Sequence, residues 1–566
     1  MPRIDPPSLT DFLNISPVVL LSVWGLLVLF LDFAFLRKAE SRVRSRLLGG
    51  VSLIGVVAAV AACFVPEFVE TRTGSEELYF QGTLLGGVFV ERVAAFVIVL
   101  LGFVILLSMS FEFTDYWGEY YALLFWSTVG TILLISAEEL VTIFLSLETM
   151  TISLYLLTAF EKSRKRSAEG ALKYFVYGSV SSALFLFGLS LIYGITGVTR
   201  LESIGLALRD NQAAIGLAGN ITGTAAVLLV LVGFGFKVAA VPFHQWAPDA
   251  YEGAPAPVAA WIATGSKVAS FIALLKMLVE ALGAWASDPT GLTSPGWVTI
   301  VAIISAVTMT YGNFAALGQT NFKRLLAYSS IAHGGYMLVG VLASVVAQDG
   351  KAAGTVLFYL AVYGFSNIGA FALAAWMVRD KGTDEVEDLN GLASHSPGLA
   401  VCILLLMLSL IGMPVLAGFW GKLYMFMEAV NRGDEANRLT FLWLVALGLM
   451  NSVVSAFYYV RVLRAMFLRP STTPPLARAP FTVSFPILAS TAVVVGFGLY
   501  PAPLADQTLA LADVSSFSIA AQKGFRSSVY TGPPIKDTLP NFRDAPMPRG
   551  VPVRPEAPVV PGPAAK

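Results

Sequence analysis

The sequence predicts an all-α polytopic membrane protein with about fourteen transmembrane helices. Three observations support this fold class: few residues are charged, apolar runs are long enough to cross a bilayer, and basic residues cluster between those runs. Charged residues make up 13% of the 566 positions and hydrophobic residues 56%, whereas a soluble domain is about 25% charged. This composition excludes an ordinary soluble fold and makes the lipid bilayer the first expected partner.

Charge and cysteine content exclude further classes of function. The 37 basic and 37 acidic residues give a net charge of zero, so we expect no nucleic-acid partner. Cys63 and Cys402 are far apart in apolar runs and provide no zinc or iron–sulfur spacing. With only three histidines in addition, we expect no metal and no redox cofactor in this chain.

Apolar runs of about 20 residues define the predicted spans. They lie near residues 17–37, 46–66, 87–110, 117–136, 139–160, 171–195, 223–246, 256–284, 297–318, 324–345, 352–378, 397–429, 438–468 and 480–501. The first run lacks a basic leader and a cleavage site, so we expect a retained helix. Residues 76–82, EELYFQG, resemble a protease site of expression tags, but the second position is altered and we interpret the segment as native loop.

The basic residues predict the orientation of the chain. Under strict alternation four basic clusters fall on one side, which the positive-inside rule makes cytoplasmic. The clusters are Arg37, Lys38, Arg42, Arg44 and Arg46; Lys162, Arg164, Lys165 and Arg166; Lys323 and Arg324; and Arg461, Arg464, Arg469 and Arg478. Glu67, Glu70, Glu76 and Glu77 fall on the other side, and both termini are predicted to be non-cytoplasmic.

Four charged residues lie well inside predicted spans: Glu148, Lys237, Lys267 and Lys422. A charge in the hydrocarbon costs several kcal/mol, so each needs a partner, a cavity or a function. A structural ion pair or a lysine reaching the interface is the alternative. Three lysines with one glutamate favour function, because the pKa of a buried amine responds to a nearby carboxylate. Glu148 could thus switch Lys237 between its protonated and neutral forms.

Other charged residues lie nearer helix ends. For Lys276 and Glu280 we expect side chains that reach towards the interface. Lys173 is followed by an apolar helical sequence, and both a structural and a functional role stay open for it.

Two predicted spans are interrupted by glycine and proline. Gly233, Gly235 and Pro242 surround Lys237, and Gly412, Pro414, Gly418 and Gly421 precede Lys422. Such interruptions occur at membrane depth only where freed backbone groups face protein or water, and paired ones are typical of transporters with inverted repeats. The offset between the two lysines, added to the position of Glu148, leads to His333, which is thus the counterpart of Glu148 in the second half. A hydrogen-bonded helix contact is the alternative role for this histidine.

The segments around these residues resemble a known family. GFKVAAVPFHQWAPDAYEGAPAPVAAW, TNFKRLLAYSSIAHGGYML, GMPVLAGFWGKLYMF and LMNSVVSAFYYVRV are similar to the antiporter-like membrane subunits of respiratory complex I, the bacterial NADH:quinone oxidoreductase. YEGAP, together with a lysine at the helix-twelve position, favours the subunit N branch. The resemblance covers roughly residues 20 to 500.

The resemblance implies two inverted five-helix repeats with discontinuous helices seven and twelve. It implies proton transfer through Glu148 of helix five, Lys237 of helix seven, Lys267 of helix eight and Lys422 of helix twelve, with Lys173 on helix six. It also implies that NADH, FMN, iron–sulfur clusters and quinone belong to partner subunits, that sister antiporter-like subunits are neighbours, and that the location is the bacterial cytoplasmic membrane.

The expected organisation has five parts. They are residues 1–116 with helices one to three, 117–285 as the first repeat, 297–468 as the second, 480–501 as the last helix, and 502–566 as a Pro-rich arm. The arm is too poor in apolar residues to build a core, and we expect it to be extended or disordered. Two other functions stay open: a subunit of a cation/proton antiporter without a redox partner, and a structural membrane subunit.

Overall fold

The computed structural model describes residues 9–65, 77–210, 212–286, 296–347, 350–432, 438–470, 476 and 478–514. Within these ranges the chain is a bundle of apolar helices, because only a helix pairs its own backbone groups inside a bilayer. The helices are α1 Leu9–Asn14, α2 Ser16–Leu31, α3 Ser41–Ala62, α4 Val88–Ser108, α5 Trp117–Ser136, α6 Leu140–Thr158, α7 Lys165–Thr196, α8 Leu201–Asp210, α9 Gln212–Val238, α10 Trp246–Gly253, α11 Ala256–Ala263, α12 Gly265–Lys276, α13 Trp297–Leu317, α14 Phe322–Ala347, α15 Gly350–Lys381, α16 Leu392–His395, α17 Pro397–Ile411, α18 Ala417–Arg432, α19 Arg438–Leu468, α20 Phe481–Leu499 and α21 Ala502–Val514. Short π-helical turns continue α2 over Asp32–Leu36 and α12 over Met277–Ala281, and 3-10 turns cover Phe80–Gly82, Gly283–Trp285 and Val386–Leu389.

The all-α membrane fold predicted from the sequence is confirmed. Among the described residues, 13 helices are long and apolar enough to cross a membrane. The predicted twelfth span is not one of them, because it consists of two shorter helices, α17 and α18. The span Ala256–Ala281 is wholly enclosed by other helices, and α14 and α15 are nearly so, whereas α2 is mostly exposed. The interior of the bundle therefore consists of the helices that carry Lys267 and His333.

Three interruptions shape this interior. Helix α9 ends at Val238, and turns lead to α10 at Trp246. The Phe236 carbonyl accepts from the Ala239 amide at 3.1 Å and from the indole of Trp246 at 2.9 Å. The Val241 amide donates to Thr308 Oγ1 at 2.9 Å. The second interruption separates α17 from α18. A third lies at Thr264 between α11 and α12 and was not expected from the sequence. Side chains thus replace part of the lost helical bonding.

A small hairpin joins α3 to α4. Strand β1, Glu77–Tyr79, pairs antiparallel with β2, Leu84–Gly86. Tyr79 is buried, and the Phe80 amide donates to Asp11 Oδ1 at 3.1 Å. Residues 77–82 of the EELYFQG segment therefore pack into the fold, which supports reading them as native loop.

The C-terminal region departs from the expected extended arm at its start. Residues 502–514 form α21, which packs against α15: a Cβ added at Gly354 of α15 would lie 3.0 Å from the Leu509 backbone. Apolar residues such as Leu504 still occur before the proline-rich sequence begins, and they permit this helix. Residues 515–566 lie outside the described residues, and so do Glu67, Glu70 and Glu76. The expectations for all of these residues remain predictions.

Candidate functional site

Lys267 lies at the centre of the bundle, in the first turn of α12. The interruption at Thr264 directs the start of this helix towards α14, and Lys267 is buried there with 2% of its surface exposed. Its Nζ donates to the Ser330 carbonyl at 2.6 Å and to Ser330 Oγ at 2.7 Å. The ammonium also lies 5.5 Å from the centre of the Tyr363 ring. All of these acceptors are neutral.

A series of polar and aromatic groups leads from Lys267 to His333. The Tyr363 hydroxyl donates to Ser330 Oγ at 2.8 Å, and the Tyr363 ring lies 5.3 Å from the imidazole of His333. His333 is buried, and its Nδ1 lies 2.5 Å from the Tyr359 hydroxyl. Both lysines, Lys267 and Lys422, act electrostatically on His333. The Tyr363 ring contacts both the ammonium of Lys267 and the imidazole of His333.

Lys422 occupies the second predicted interruption. Its Nζ donates to the carbonyls of Ile411 at 2.8 Å and Leu410 at 3.2 Å, the last residues of α17, and to Ser452 Oγ at 3.2 Å. The C-terminal end of a helix carries a partial negative charge that favours a cation. The ammonium lies 4.7 Å from the centre of the Tyr336 ring, and this ring lies 5.7 Å from that of His333.

Lys237 at the end of α9 and Glu148 on α6 form a second group. Lys237 is buried at the end of α9, and its Nζ donates to Thr151 Oγ1. Glu148 lies one turn before Thr151 on α6 and accepts from Ser182 Oγ of α7 at 2.5 Å. The negative charge of Glu148 acts on Lys237, but no ion pair joins these two described side chains. The carboxylate is held by α7, and the ammonium is held by α6.

A glycine separates the two groups. A Cβ built on Gly334 of α14 would lie 3.1 Å from the Val238 carbonyl and 3.8 Å from Lys267 Nζ. The residue after Lys237 and the ammonium of Lys267 thus both face the same glycine. Because Gly334 has no side chain, the end of α9 can approach Lys267 closely.

Two other buried lysines have carboxylate partners. Lys276 is fully buried and donates to Glu138 Oε1 at 2.7 Å and to the Ile135 carbonyl at 2.8 Å. Lys323 lies 3.2 Å from Asp384. Our expectation that Lys276 and Glu280 reach the interface was wrong, since both side chains are buried. The physical reason for Lys276 is the carboxylate of Glu138, which compensates the charge inside the protein.

Lys173 lies outside the buried series. Its side chain is 39% exposed, and its Nζ lies 2.7 Å from both Glu169 and Asp249. Arg324 Nη1 donates to the second carboxylate oxygen of Asp249 at 2.5 Å. Partial burial raises the pKa of Asp249, but the bonds from Lys173 and Arg324 outweigh it and hold this pKa below its ordinary value. The cluster ties α7, α10 and α14 together.

The apolar runs predicted the charged residues of the site but not the neutral groups between them. These neutral groups are Ser330, Tyr336 and Tyr363, which contact the lysines or His333. The spacing could have identified two of them, since Ser330 and Tyr336 both lie three residues from His333 on one helix face. Glu138 was missed because it lies outside a predicted span. Among the described residues, no group of three or more His, Cys, Asp or Glu comes together as a metal site.

Comparison with known sequences identifies similar proteins. Residues 137–448 match the profile of a family described as NADH:quinone oxidoreductase/Mrp antiporter, transmembrane. A protein of Acidobacterium capsulatum named NADH-quinone oxidoreductase subunit N 2 is 36% identical over 505 residues, which are 87% of this chain and 98% of that protein. Subunit N of Trichlorobacter lovleyi is 39% identical over 463 residues, 81% of this chain and 87% of that protein.

Solved structures with the same fold are membrane complexes. A chain of respiratory complex I from Thermus thermophilus with bound aureothin aligns with a TM-score of 0.68 and 31% identity, covering 87% of this chain and 98% of that one. A chain of the Mrp complex from Dietzia aligns with a TM-score of 0.70 over 88% of this chain and 97% of that one. The Mrp likeness is 18% in sequence and concerns the fold alone.

Proposed function

The chain belongs to the NADH:quinone oxidoreductase/Mrp antiporter family of membrane subunits, in the subunit N group of NADH-quinone oxidoreductase, and from this premise we propose a route for protons through it. A proton enters near Lys237, passes to Lys267, continues through His333 and leaves by Lys422. Glu148 sets the charge state of Lys237. Each step breaks an N–H bond on one group and forms a bond to hydrogen on the next, directly or through water.

One observation carries this proposal: a continuous set of buried contacts runs from Lys267 to Lys422. Lys267 bonds Ser330, Ser330 accepts from Tyr363, and the rings of Tyr363, His333 and Tyr336 lie in sequence up to the ammonium of Lys422. Hydroxyl groups both donate and accept, so Ser330 and Tyr363 can exchange a proton with Lys267, and the steps along the ring contacts to Lys422 pass through water.

The acceptors around the lysines support a change of protonation state. Hydroxyl and carbonyl oxygens accept the hydrogen bonds of Lys237, Lys267 and Lys422. No carboxylate of the described residues lies within ion-pair distance of these lysines. A carboxylate partner would hold the ammonium form, whereas neutral oxygens and burial leave the neutral amine accessible. Lys276 and Lys323, which have carboxylate partners, fit the structural role instead.

The energy for this transport comes from electron transfer in partner subunits. Relatives are subunits of NADH-quinone oxidoreductase, and the aligned solved chains are parts of membrane complexes. We assign NADH, FMN, the iron–sulfur clusters and quinone to those partners, and sister antiporter-like subunits to the neighbours in the membrane. We propose the bacterial cytoplasmic membrane as the location of the assembly, with both termini of this chain on the non-cytoplasmic side.

Replacement of Lys237 by alanine tests the first step. In assembled complex, Lys237→Ala is expected to lower proton pumping and the coupled NADH–quinone turnover, because Glu148 loses the amine that it controls. Pumping is followed by acidification of inverted vesicles driven by NADH. Lys351→Ala is the matched control, since Lys351 is exposed at the start of α15. Full pumping by Lys237→Ala would refute the route.

An antiporter subunit without a redox partner is the second candidate, and it is supported by the family description, which includes Mrp antiporters. The two functions differ in the proteins with which the chain assembles. Mild solubilisation of membranes and native electrophoresis should show the chain migrating with NADH dehydrogenase activity. Migration with sodium/proton exchange activity, apart from any NADH dehydrogenase, would instead support the antiporter.

A further inference from the structure

A cavity of about 320 Å³ lies at the ends of four helices, and none of its lining residues belongs to the lysine series. It opens between the start of α3, the residues after α4, the end of α15 and the start of α20. Its charged lining residues are Arg42, Arg46, Arg379 and Glu112. Because each of these helices is of membrane-spanning length, the cavity lies at the level where helices leave the bilayer. Its volume is within the range of about 300–1,000 Å³ of small-ligand sites.

The cavity carries an excess of positive charge. Arg42 Nε donates to Glu112 Oε1 at 2.5 Å, and the exposed Glu40 also acts on Arg42. Arg46 and Arg379 are exposed and make no ion pair with any described residue. Two guanidinium groups thus line the cavity without a counter-ion among the described residues. Guanidinium groups bind phosphate oxygens through paired hydrogen bonds.

A strip of phenylalanines leads from the cavity into the membrane. Phe481 lies in the sequence between the lining residues Pro480 and Thr482, and its side chain is 70% exposed. The strip continues through neighbouring rings. Their centres are 5.3 Å apart for Phe481 and Phe485, 6.0 Å for Phe485 and Phe103, 6.2 Å for Phe103 and Phe365, and 5.7 Å for Phe365 and Phe96. By helix rise, Phe365 lies about 21 Å along α15 from Arg379. The strip is therefore about as long as one leaflet is deep.

We propose that this cavity and strip bind one anionic phospholipid. Arg46 and Arg379 hold the phosphate of the headgroup, Arg42 and Glu112 form the wall, and an acyl chain lies along Phe481, Phe485 and Phe103. A basic pocket between transmembrane helices at the membrane surface is the environment that binds anionic headgroups. A free phosphate would use the arginines and leave the apolar strip uncovered, so the strip selects a lipid as the occupant.

Equilibrium binding of a fluorescent phosphatidylglycerol to the full-length chain in neutral detergent tests this site. The double variant Arg46→Gln/Arg379→Gln is expected to bind about 30-fold more weakly, since it removes both free guanidinium groups. Arg46→Lys/Arg379→Lys keeps the charge and is expected to retain part of the affinity. Arg464→Gln is the matched control and is expected to bind normally, since Arg464 of α19 is exposed and has no ion pair with a described residue.

Competition separates the possible sources of the phosphate. Unlabelled phosphatidylglycerol should displace the probe, whereas phosphatidylcholine and inorganic phosphate should not. Phe481→Ser should weaken lipid binding without affecting the melting temperature. Equal displacement by inorganic phosphate would overturn the assignment of a lipid, and unchanged phosphatidylglycerol binding by the double glutamine variant with a normal melting temperature would overturn the site. If the double glutamine variant does not fold, the lysine variant is compared with Arg464→Gln. An equal loss of phosphatidylglycerol binding in these two variants would also overturn the site.

Discussion

At the scale of residues, the buried lysines differ in their acceptors and not in their depth. Lys267 and Lys276 lie on the same helix and are both buried, but Ser330 holds the first and Glu138 the second. The unusual positions of the lysines could be predicted from the sequence, because a charged residue within an apolar run is recognised directly from the order of residues. It could not predict their acceptors, since Ser330 and Glu138 are 63 and 138 positions away.

The central position of His333 leads to a prediction at this scale. His333→Leu removes the only described imidazole between Lys267 and Lys422 while keeping an apolar side chain in the helix contact. Proton transfer is expected to slow by up to about 100-fold, the lower end of what a positioned acid–base group contributes. NADH-driven acidification of vesicles, normalised to the amount of assembled complex, measures it. An unchanged rate would mean that the histidine has only a packing role.

At the scale of elements, the interruptions decide where the lysines can lie. Glycine and proline predicted the interruptions near Lys237 and Lys422. They did not predict the one at Thr264, where only Gly265 marks the site and a Cβ on it would lie 2.2 Å from the Trp261 ring. The inverted relation of the two repeats stays a prediction.

The joint between α17 and α18 is expected to tolerate no side chain at Gly418. A Cβ there would lie 2.0 Å from the Ser409 carbonyl oxygen, so Gly418→Ala must move the backbone that positions Lys422. We expect a loss of about 1–3 kcal/mol in stability, seen as a lower melting temperature in detergent. Gly398→Ala on α17 is the control, because nothing lies within 4 Å of its added Cβ. Equal melting of both variants would contradict the close packing.

The Asp249 cluster predicts a pH dependence. Since the folded pKa of Asp249 is below its ordinary value, its contribution to stability is present above the ordinary carboxyl pKa and is lost as pH falls through the lowered value. Asp249→Asn is expected to be less stable by about 1 kcal/mol at neutral pH. The difference in melting temperature from the wild type should shrink on acidification. A difference that is independent of pH would exclude the ion pairs as its cause.

At the scale of the whole molecule, composition predicted the fold class because hydrocarbon permits few solutions for a backbone. The span boundaries followed from the lengths of apolar runs, whereas the helix at 502–514 was missed because a proline-rich sequence follows it closely. The contacts among α12, α14 and α15 on which the proposed route rests could not be predicted, since they depend on how helices pack. What the whole bundle provides is a low-dielectric interior in which two kinds of lysine can be distinguished.

One comparison tests the central claim most directly: proton pumping per NADH oxidised in assembled complex carrying Lys267→Met or Lys276→Met. Lys267→Met is expected to assemble and to lose pumping. Lys276→Met leaves Glu138 buried without its partner, so it should lose about 3–5 kcal/mol of stability and assemble poorly, but the complex that forms should pump normally. Normal pumping by Lys267→Met, or reduced assembly as its only defect, would contradict the proposed route and assign these lysines a structural role.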